Sequence, residues 1–441
     1  MARPRNLLRS RDYRHYWLAR VVSSVGSNLS GLAFPLLVLA DGGSPVEATV
    51  VGTCTMATRI SLRMVGGSLA DRFDRRWMML AGDLIRLVAI GSVPLAYQFG
   101  QLTYAQILVV AVLEGAAGTL LFTPAVSIAV RDIVPKEQLV EAASRAASAG
   151  GAISLISPIV GGALFEIGHM LPFDLDASSY LFSAIMLVTM ATKPTVRDPA
   201  TRDRSWSAGI HWLRGQPVLL RCLAGGTVVN ITAAAFGISL IVEMSRNGVT
   251  ASVIGLVMAF GGAGTLAGSL LAPRLIPRLR TTLCFLLTSV VLTIGFAIMA
   301  LSVSPWVVAP ILALIAAIAP LGNLGMSAAI TANVPRDILG RVTAAIATVS
   351  GGLACLGPVL GGVLLQEVGP TDIWLVFCAV AFAVMVTVYL PLARTKTLIQ
   401  TGADQDGGEQ SAGSASAESH QSPDQAPQTA DPRLLNRAIQ S

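Results

Sequence analysis

The sequence predicts an all-α membrane protein with twelve transmembrane helices in two pseudo-symmetric six-helix halves. Three observations support this fold class. Of the 441 residues, 53% are hydrophobic and only 13% are charged, whereas a soluble chain carries about 25% charged residues. Apolar runs long enough to cross a bilayer, about 20 residues each, recur along the chain. Residues 134–162 and 334–362 share one pattern of proline and paired glycines, as expected for a duplicated half.

The apolar runs place the helices in order, and short polar or turn-forming segments separate them. The first half has runs at 14–38, 46–70, 77–97, 104–130, 142–167 and 174–192. The second half has runs at 218–242, 250–272, 282–302, 306–333, 343–367 and 372–393. Each run is close to the length that a helix needs to span the hydrocarbon core.

The same runs divide the chain into four parts. Residues 1–192 form the N-terminal six-helix half, and residues 218–396 form the C-terminal six-helix half. Residues 193–217 are rich in arginine and form the predicted interdomain loop. Residues 397–441 are rich in Gly, Ser, Gln and Asp and have few large apolar side chains, a composition typical of a disordered tail.

The distribution of lysine and arginine predicts the orientation of the helices. Basic residues precede the first predicted helix and follow each even-numbered one. The connections on the other side have none; they lie near 39–46, 98–103, 168–173, 303–305 and 368–371. Only Arg246 departs from this pattern. We therefore expect a multi-pass protein of the cell membrane whose termini, interdomain loop and tail are all cytoplasmic.

Both copies of the repeat place a proline before two glycines inside a predicted helix. Pro158 and Pro358 each remove one backbone donor, which predicts a break or kink midway along helices 5 and 11. Duplicated hydrophobic segments are typical of secondary transporters, where such kinks are candidate bending elements for alternating access. Ordinary close packing of helices is the alternative. The candidate bending residues are Pro158, Gly161, Gly162, Pro358, Gly361 and Gly362.

A short motif at residues 67–76, GSLADRFDRR, ends the second predicted helix. Its glycine favours a close helix contact, and its first aspartate can face the partly positive N-terminus of a neighbouring helix. Its arginines can pair with carboxylates of the other half, so the motif predicts a gate on the cytoplasmic side. The alternative is that the arginines only set the topology. The gate candidates are Gly67, Asp71, Arg72, Arg75, Arg76, Asp83 and Arg86.

This motif resembles the signature that the Major Facilitator Superfamily carries between helices 2 and 3, and the resemblance extends over residues 10–395. The DRFDRR form, the following Asp83-Leu84-Ile85-Arg86, the Val134-Pro135 turn and the run from Pro158 to Gly162 are most similar to the drug and siderophore exporter branch. That branch includes enterobactin and macrolide exporters. The resemblance implies two halves that rock around a central site and export an amphipathic small molecule, driven by proton entry.

Ionisable residues inside the predicted helices mark functional positions, because a charge at a helix centre costs about 2.5–3.5 kcal/mol on insertion scales. Glu114 lies near the middle of helix 4, and Arg59 and Arg63 share one face of helix 2. A carboxyl group in apolar surroundings favours its protonated form, so Glu114 is a candidate proton-coupling residue. A static buried ion pair and contact with an anionic substrate are the alternatives. Arg20 in helix 1 belongs to the same buried-charge group.

The two predicted halves differ in charge. The second half has almost no charge inside its helices, and Leu314 stands one repeat after Glu114. This asymmetry predicts coupling chemistry in the first half and mostly apolar substrate contact in the second. Asn28 and Asn230 occupy nearly equivalent central positions in helices 1 and 7. They are candidates for lining the cavity or for hydrogen bonding between helices.

Other site chemistries lack the residues that they require. The 5 cysteines and 4 histidines are scattered and show no metal-ligand spacing. Neither a phosphate-binding loop nor a nucleophile–base constellation is present, so we expect no cofactor, no metal site and no enzymatic activity. The net charge of +6 does not indicate a nucleic-acid partner, because the basic residues lie between apolar runs.

Together these patterns predict a secondary active transporter, specifically a proton-coupled exporter (an antiporter) of an antibiotic, siderophore or metabolite. Its expected partners are that small molecule, protons and the lipid bilayer, and we expect a monomer. The alternatives are an importer or facilitator of a small metabolite, and a transporter-fold membrane sensor or scaffold. Asp71 and Glu114 argue against the scaffold, which has no need of a costly carboxylate in the membrane.

Overall fold

The described part of the protein consists of helices joined by short connections. The computed structural model describes residues 7, 10–135, 138–190, 215–275, 281–334, 339–369 and 372–394. Most of the predicted interdomain loop and the whole tail from 397 onward lie outside the described residues. Every described element is helical, which confirms the predicted all-α fold.

The N-terminal half contains six helical segments, α1 to α6. Their bounds are α1, Arg11–Ala40; α2, Pro45–Arg72; α3, Arg75–Gln98; α4, Tyr104–Ala117 with a π-helical turn Gly118–Phe122 and a continuation Thr123–Ile133; α5, Leu139–Ile167; and α6, Leu171–Val188. Ser44 caps α2 and Asp74 caps α3 through their side chains. The short connections make consecutive helices antiparallel.

The C-terminal half repeats this arrangement with α7 to α12. Their bounds are α7, Pro217–Arg246; α8, Ala251–Leu275; α9, Thr281–Leu301; α10, Pro305–Asn333; α11, Leu339–Ala354 and Leu356–Glu367; and α12, Asp372–Val384 with a π-helical turn Met385–Tyr389 and a final turn Leu390–Arg394. The described chain therefore has the two-by-six organisation that the duplicated sequence predicts.

Eleven of the described helical segments are long and apolar enough to cross a membrane. The exception is α2, where Arg59, Arg63 and several threonines interrupt the apolar residues. A segment of this composition is stable in a bilayer only when its polar side faces protein or a water-filled space. Thus α2, the helix that is too polar to qualify as a membrane span, is also the helix that carries a charged face.

Four glycines with positive φ end helices at the same end of the bundle. They are Gly42, Gly100, Gly248 and Gly369, with φ between 64° and 100°, and they follow α1, α3, α7 and α11. Glycine adopts this left-handed conformation without the steric cost of a Cβ atom, which permits a tight stop after a helix. We call this the Gly42 end and the opposite side, where α3 begins, the Arg75 end.

The buried apolar residues show where the two halves meet. The largest buried cluster draws on both halves and lies toward the Gly42 end; it includes Leu37, Phe173, Phe236, Phe296 and Trp374. The clusters toward the Arg75 end are each confined to one half, between residues 7 and 190 or beyond residue 219. The described halves are therefore joined at the Gly42 end and separated toward the Arg75 end.

Close backbone contact between α5 and α8 forms one connection between the halves. A Cβ atom on Gly255 would overlap the backbone of Pro158, and one on Gly162 would overlap the backbone of Ala251. Small residues at these positions let the helix backbones approach, which is the usual basis of helix association in lipid. A second connection runs between α2 and α11, where Gly362 packs on Thr49.

We expect Gly255→Ala to lower the stability of the folded protein by roughly 1–3 kcal/mol, because the new methyl group would push α5 and α8 apart. The matched control is Gly237→Ala in α7, since nothing lies within 4 Å of a Cβ atom there. That change should stabilise by roughly 0.5–1 kcal/mol through helix propensity. Unfolding of the purified variants in detergent measures both effects. Equal responses of the two variants would show that the α5–α8 contact is not tight.

The two repeated prolines behave differently, which corrects the prediction that both break their helices. The α11 helix is interrupted at Cys355, beside Ala354, whose carbonyl would otherwise accept the missing N–H of Pro358. The α5 helix continues through Pro158. There the freed carbonyl of Ser154 lies against the backbone of Gly262 in α8, and such contact with a neighbouring helix makes an internal proline tolerable.

Candidate functional site

A cavity of about 360 Å³ lies within the N-terminal half, between α1, α2, α3 and α4. It contains most of the buried charges that the sequence singles out. Its lining residues are Arg20, Ser23, Ser24, Ser27, Asn28, Arg59, Arg86, Glu114, Gly118, Thr119, Phe122, Thr123 and Val126. We call it the N-half cavity. Three arginines and one glutamate give it charge among hydroxyl, amide and apolar side chains.

Glu114 and Arg59 form an ion pair at this cavity. The Nη2 atom of Arg59 donates to Oε2 of Glu114 at 2.8 Å. The glutamate side chain is 8% exposed and the arginine side chain 51%, so the carboxylate is buried while its partner reaches into the cavity. Gly115 packs against Thr55, which brings α4 close enough to α2 for this contact. Arg63 is exposed, and the described ion pair of Glu114 runs to Arg59 alone.

A π-helical turn begins four residues after Glu114. The backbone N–H of Gly118 donates to the carbonyls of both Glu114 and Gly115. Gly66 of α2 and Gly82 of α3 pack against the backbone of this turn. Such turns inside α-helices frequently occur at functional sites. The sequence analysis did not anticipate it, although the small residues around Glu114 are a signal of close approach.

Arg20 and Asn28 both lie on the cavity side of α1. Each lines the N-half cavity and a neighbouring cavity of about 210 Å³ between α1 and α5. The side chain of Asn28 donates to the carbonyl of Ser24 at 2.7 Å, so it satisfies a helix carbonyl rather than bridging two helices. Arg20 adds a second positive charge near the Glu114 pair.

Asp83 and Arg86 form a buried pair on α3. Their side chains are 0% and 4% exposed, with 2.5 Å between Nη2 and Oδ1. Ser183 of α6 donates to the other carboxylate oxygen at 2.6 Å. The guanidinium lies 4.3 Å from the ring centre of Phe122 and 4.4 Å from that of Tyr180. Rings on both sides and a carboxylate at its tip fix this arginine in place.

Asp176 is a buried carboxylate that the sequence analysis missed. It is 0% exposed and accepts a hydrogen bond from Ser30 of α1 at 2.5 Å. The predicted helix began at residue 174, which placed Asp176 in an exposed first turn. The helix begins at Leu171 instead, so Asp176 lies inside it. The one sequence feature that could have indicated its burial was its position within a mostly apolar run.

The gate candidates at the Arg75 end are described only in part. Arg75 is buried and pairs with Asp132 of α4 at 2.5 Å, and Arg76 donates to the carbonyl of Val188 at the end of α6. The motif predicts that these arginines pair with the other half, whereas both of these described contacts lie within the N-terminal half. The surroundings of Gly67 and the side chains of Asp71 and Arg72 lie outside the described part.

A second cavity of about 240 Å³ lies in the C-terminal half, between α7, α9, α10 and α11. Its lining residues are Cys222, Leu223, Gly226, Asn230, Phe285, Asn323, Met326, Ser327, Ile330, Thr331, Thr343, Ile346, Ala347 and Ser350. We call it the C-half cavity. Asn230 donates to Ser350 at 3.0 Å, so it bridges α7 and α11. The lining carries hydroxyl, amide, thiol and apolar groups and contains no Asp, Glu, His, Lys or Arg.

Both cavities lie on the Arg75 side of the large apolar cluster that the halves share. Their walls come from the stretches of α1, α4, α7 and α11 that are nearer the Arg75 end. The shared apolar cluster closes the bundle toward the Gly42 end. The arrangement is therefore one cavity in each half, with charged residues in the N-half cavity and none in the C-half cavity.

Comparison with known sequences places this arrangement in context. A sequence profile described as Major Facilitator Superfamily matches residues 16–358 and 248–433. The chain is 26% identical over 377 residues to the uncharacterized MFS-type transporter YfiS of Bacillus subtilis (strain 168), covering 81% of this chain and 88% of that one. It is also 26% identical over 340 residues to the enterobactin exporter EntS of Salmonella typhi, covering 75% and 80%.

Solved structures share the fold. A bacterial homologue of the iron transporter ferroportin, crystallised in its inward-facing state, superposes with a TM-score of 0.70. The alignment covers 89% of this chain and all of that one, at 16% sequence identity. Identity this low supports a common architecture and carries no information about the transported molecule.

Proposed function

The chain belongs to the Major Facilitator Superfamily, and we propose that it is a proton-coupled antiporter that exports an amphipathic small molecule from the cell. The observation that carries this proposal is the ion pair between buried Glu114 and the cavity-exposed Arg59, which lies at the edge of a cavity between helices. Burying a carboxylate in a membrane protein costs free energy, so its presence there supports a functional role. The similarity to a protein named as an enterobactin exporter supports the direction of transport.

Transport would follow the usual scheme of alternating access. In the arrangement described above, substrate enters the space between the halves from the Arg75 end. The halves then rock about the α5–α8 and α2–α11 contacts, so the Gly42 end opens while the Arg75 end closes. Pro158 and the interruption at Cys355 lie on these two contact helices, and we propose that they serve as bending points.

Proton binding to Glu114 would couple this motion to a pH gradient. When Glu114 is ionised, its charge is balanced by Arg59 at 2.8 Å. When it is protonated, the ion pair is lost and Arg59 carries an unbalanced charge beside the cavity. A cationic or polar substrate then binds less tightly beside the unbalanced charge of Arg59, and its release is favoured. One buried carboxylate can in this way bind a proton or support substrate binding, but not both.

The two cavities would divide substrate recognition between them. The N-half cavity offers charge, whereas the C-half cavity offers Phe285, Met326 and Ile330 together with hydroxyl and amide groups. An amphipathic molecule fits this division, because its polar part can face the first wall and its apolar part the second. Antibiotics, siderophores and metabolites with both characters belong to this class.

The Arg75 end would form the cytoplasmic gate. Arg75 is held by Asp132 and Arg76 by the end of α6, so both arginines are oriented by their own half. We propose that Asp71, Arg72 and the rigid Asp83–Arg86 pair complete this gate. In the closed state Asp71 and Arg72 would contact the C-terminal half, whereas the Asp83–Arg86 pair, buried within its own half, would hold α3 in place.

Susceptibility profiling tests the proposed function directly. Cells that produce the protein should tolerate at least one amphipathic compound better than cells that produce Glu114→Gln at the same level. The purified protein in vesicles should then move that compound outward against its gradient when a proton gradient is imposed. Gradient-driven accumulation in the direction of entry would identify an importer. Specific binding without flux would identify a sensor or scaffold.

Cysteine labelling tests the proposed orientation. We expect Gln101→Cys to react with an impermeant reagent in intact cells, and Ser205→Cys to react only after the membrane is opened. The host chain for both variants has serine in place of Cys54, Cys222, Cys284, Cys355 and Cys378. The reverse pattern would place the Arg75 end outside the cell and overturn a cytoplasmic gate.

A further inference from the structure

Asp176 lies at the centre of a buried polar cluster that the proposed transport cycle does not use. Its side chain is fully buried in α6. On one side it meets Ser30 of α1, and Gly26 of α1 packs directly against it because any Cβ atom there would overlap the carboxyl group. The hydroxyl of Ser179, on its own helix, lies 3.4 Å from the carboxylate. The close approach of α1 and α6 therefore encloses a carboxyl group and excludes bulky neighbours.

The two arginines that face Asp176 already pair with other carboxylates. The charged groups that face it are Arg86 of α3, Glu114 of α4 and Arg59 of α2. Arg86 pairs with Asp83 and Arg59 pairs with Glu114, so two arginines balance two carboxylates. No described ion pair reaches Asp176. An ionised Asp176 would be a fully buried charge without a described ion-pair partner, which is strongly unfavourable.

A row of hydroxyl groups connects this buried carboxyl to the N-half cavity. Ser27 lines the cavity, and its Oγ atom lies 2.9 Å from the hydroxyl of Tyr180. Tyr180 lies one turn after Asp176 on the same face of α6. The phenol ring itself is fully buried. These two hydroxyls extend from the cavity toward the part of α6 that carries Asp176.

We infer that Asp176 is a second proton-binding carboxyl group of the N-terminal half, loaded from the cavity through the hydroxyls of Ser27 and Tyr180. A proton from cavity water adds to Ser27, which passes its own proton to Tyr180, which passes its own to Asp176. Each hydroxyl loses one proton and gains one, so only the carboxylate changes its charge. This inference rests on the proposed proton coupling and assigns it a further group besides Glu114.

Infrared difference spectroscopy of the full-length protein in lipid vesicles tests the site without any substrate. The carbonyl stretch of a protonated carboxylic acid is separate from the bands of a carboxylate. We expect a buried-acid band that is lost in Asp176→Asn and retained in the matched control Asp174→Asn, whose exposed carboxyl lies two residues away. A band that survives in Asp176→Asn would overturn the inference. So would a band that sodium ions remove at constant pH, since the site would then bind a cation.

Tyr180→Phe tests the route. The variant keeps the ring against Arg86 and removes only the hydroxyl. We expect the acid band to remain, while its shift on transfer to deuterated water becomes slower than in the parent. An unchanged exchange rate would show that the proton takes another path and would overturn the relay. These readouts need no flux, so a failure of export alone leaves the assignment of Asp176 to be decided by the spectra.

Discussion

Glu114→Gln is expected to abolish transport driven by a pH gradient while preserving exchange of substrate between the two sides. Glutamine fills the same volume and can still bond to Arg59, so the cavity keeps its shape. It cannot take up or release a proton, and the step that couples proton entry to substrate exit is lost. Exchange without a gradient requires only that the halves rock. Proteoliposomes with and without an imposed gradient measure both activities.

The matched control is Glu141→Gln on α5. Glu141 also pairs with an arginine, Arg145, at 2.8 Å, but it lies outside the N-half cavity. Its loss should leave both activities near those of the parent. If Glu114→Gln responds to the gradient as the parent does, the Glu114–Arg59 pair is structural. Coupling would then rest on Asp176, or the protein would be a uniporter.

Arg86→Met is expected to reduce the stability of the protein by about 3–5 kcal/mol, because it leaves Asp83 buried without its partner. Methionine retains much of the arginine's volume between Phe122 and Tyr180, so the effect reports on charge more than on packing. The double variant Asp83→Asn with Arg86→Met should recover a large part of the loss. Unfolding of the purified proteins in detergent measures the difference.

Arg145→Met provides the comparison for an exposed pair. The side chains of Arg145 and Glu141 are 29% and 39% exposed, and such pairs contribute about 0–1 kcal/mol. If Arg86→Met lowers the free energy of unfolding as little as Arg145→Met does, water must reach Asp83 in the folded protein. An additive loss in the double variant would show that the two residues are not coupled.

The helices and their order could be predicted because that information is local. A run of about 20 apolar residues specifies a membrane helix whatever its neighbours are, so the predicted runs agree with the helices within a few residues at most boundaries. An ion pair of Glu114 with an arginine of helix 2 could also be predicted from the sequence. Arg59 and Arg63 share a helix face, and only one carboxylate stood near the middle of a neighbouring apolar run.

The sequence could not show whether Arg59 or Arg63 pairs with Glu114, because the pairing depends on the depth at which α2 meets α4. Gly115 against Thr55 sets that depth. The same holds for Arg75, which finds Asp132 in its own half, and for Pro158, whose helix continues because α8 packs against the freed carbonyl. In each case a residue's partner comes from a helix distant in sequence, and hydropathy contains no information about it.

The sequence alone therefore determined that this protein is embedded in a membrane, how many helices it has and in which order, and that its two halves are duplicated. It also indicated that the first half holds the membrane charges. Only the tertiary structure decided which charges meet and which end is closed, and it revealed that Asp176 is enclosed beside Ser30 and Tyr180. Membrane insertion selects segments by their own composition, whereas charge pairing inside the bundle depends on where separate helices approach within a few ångströms.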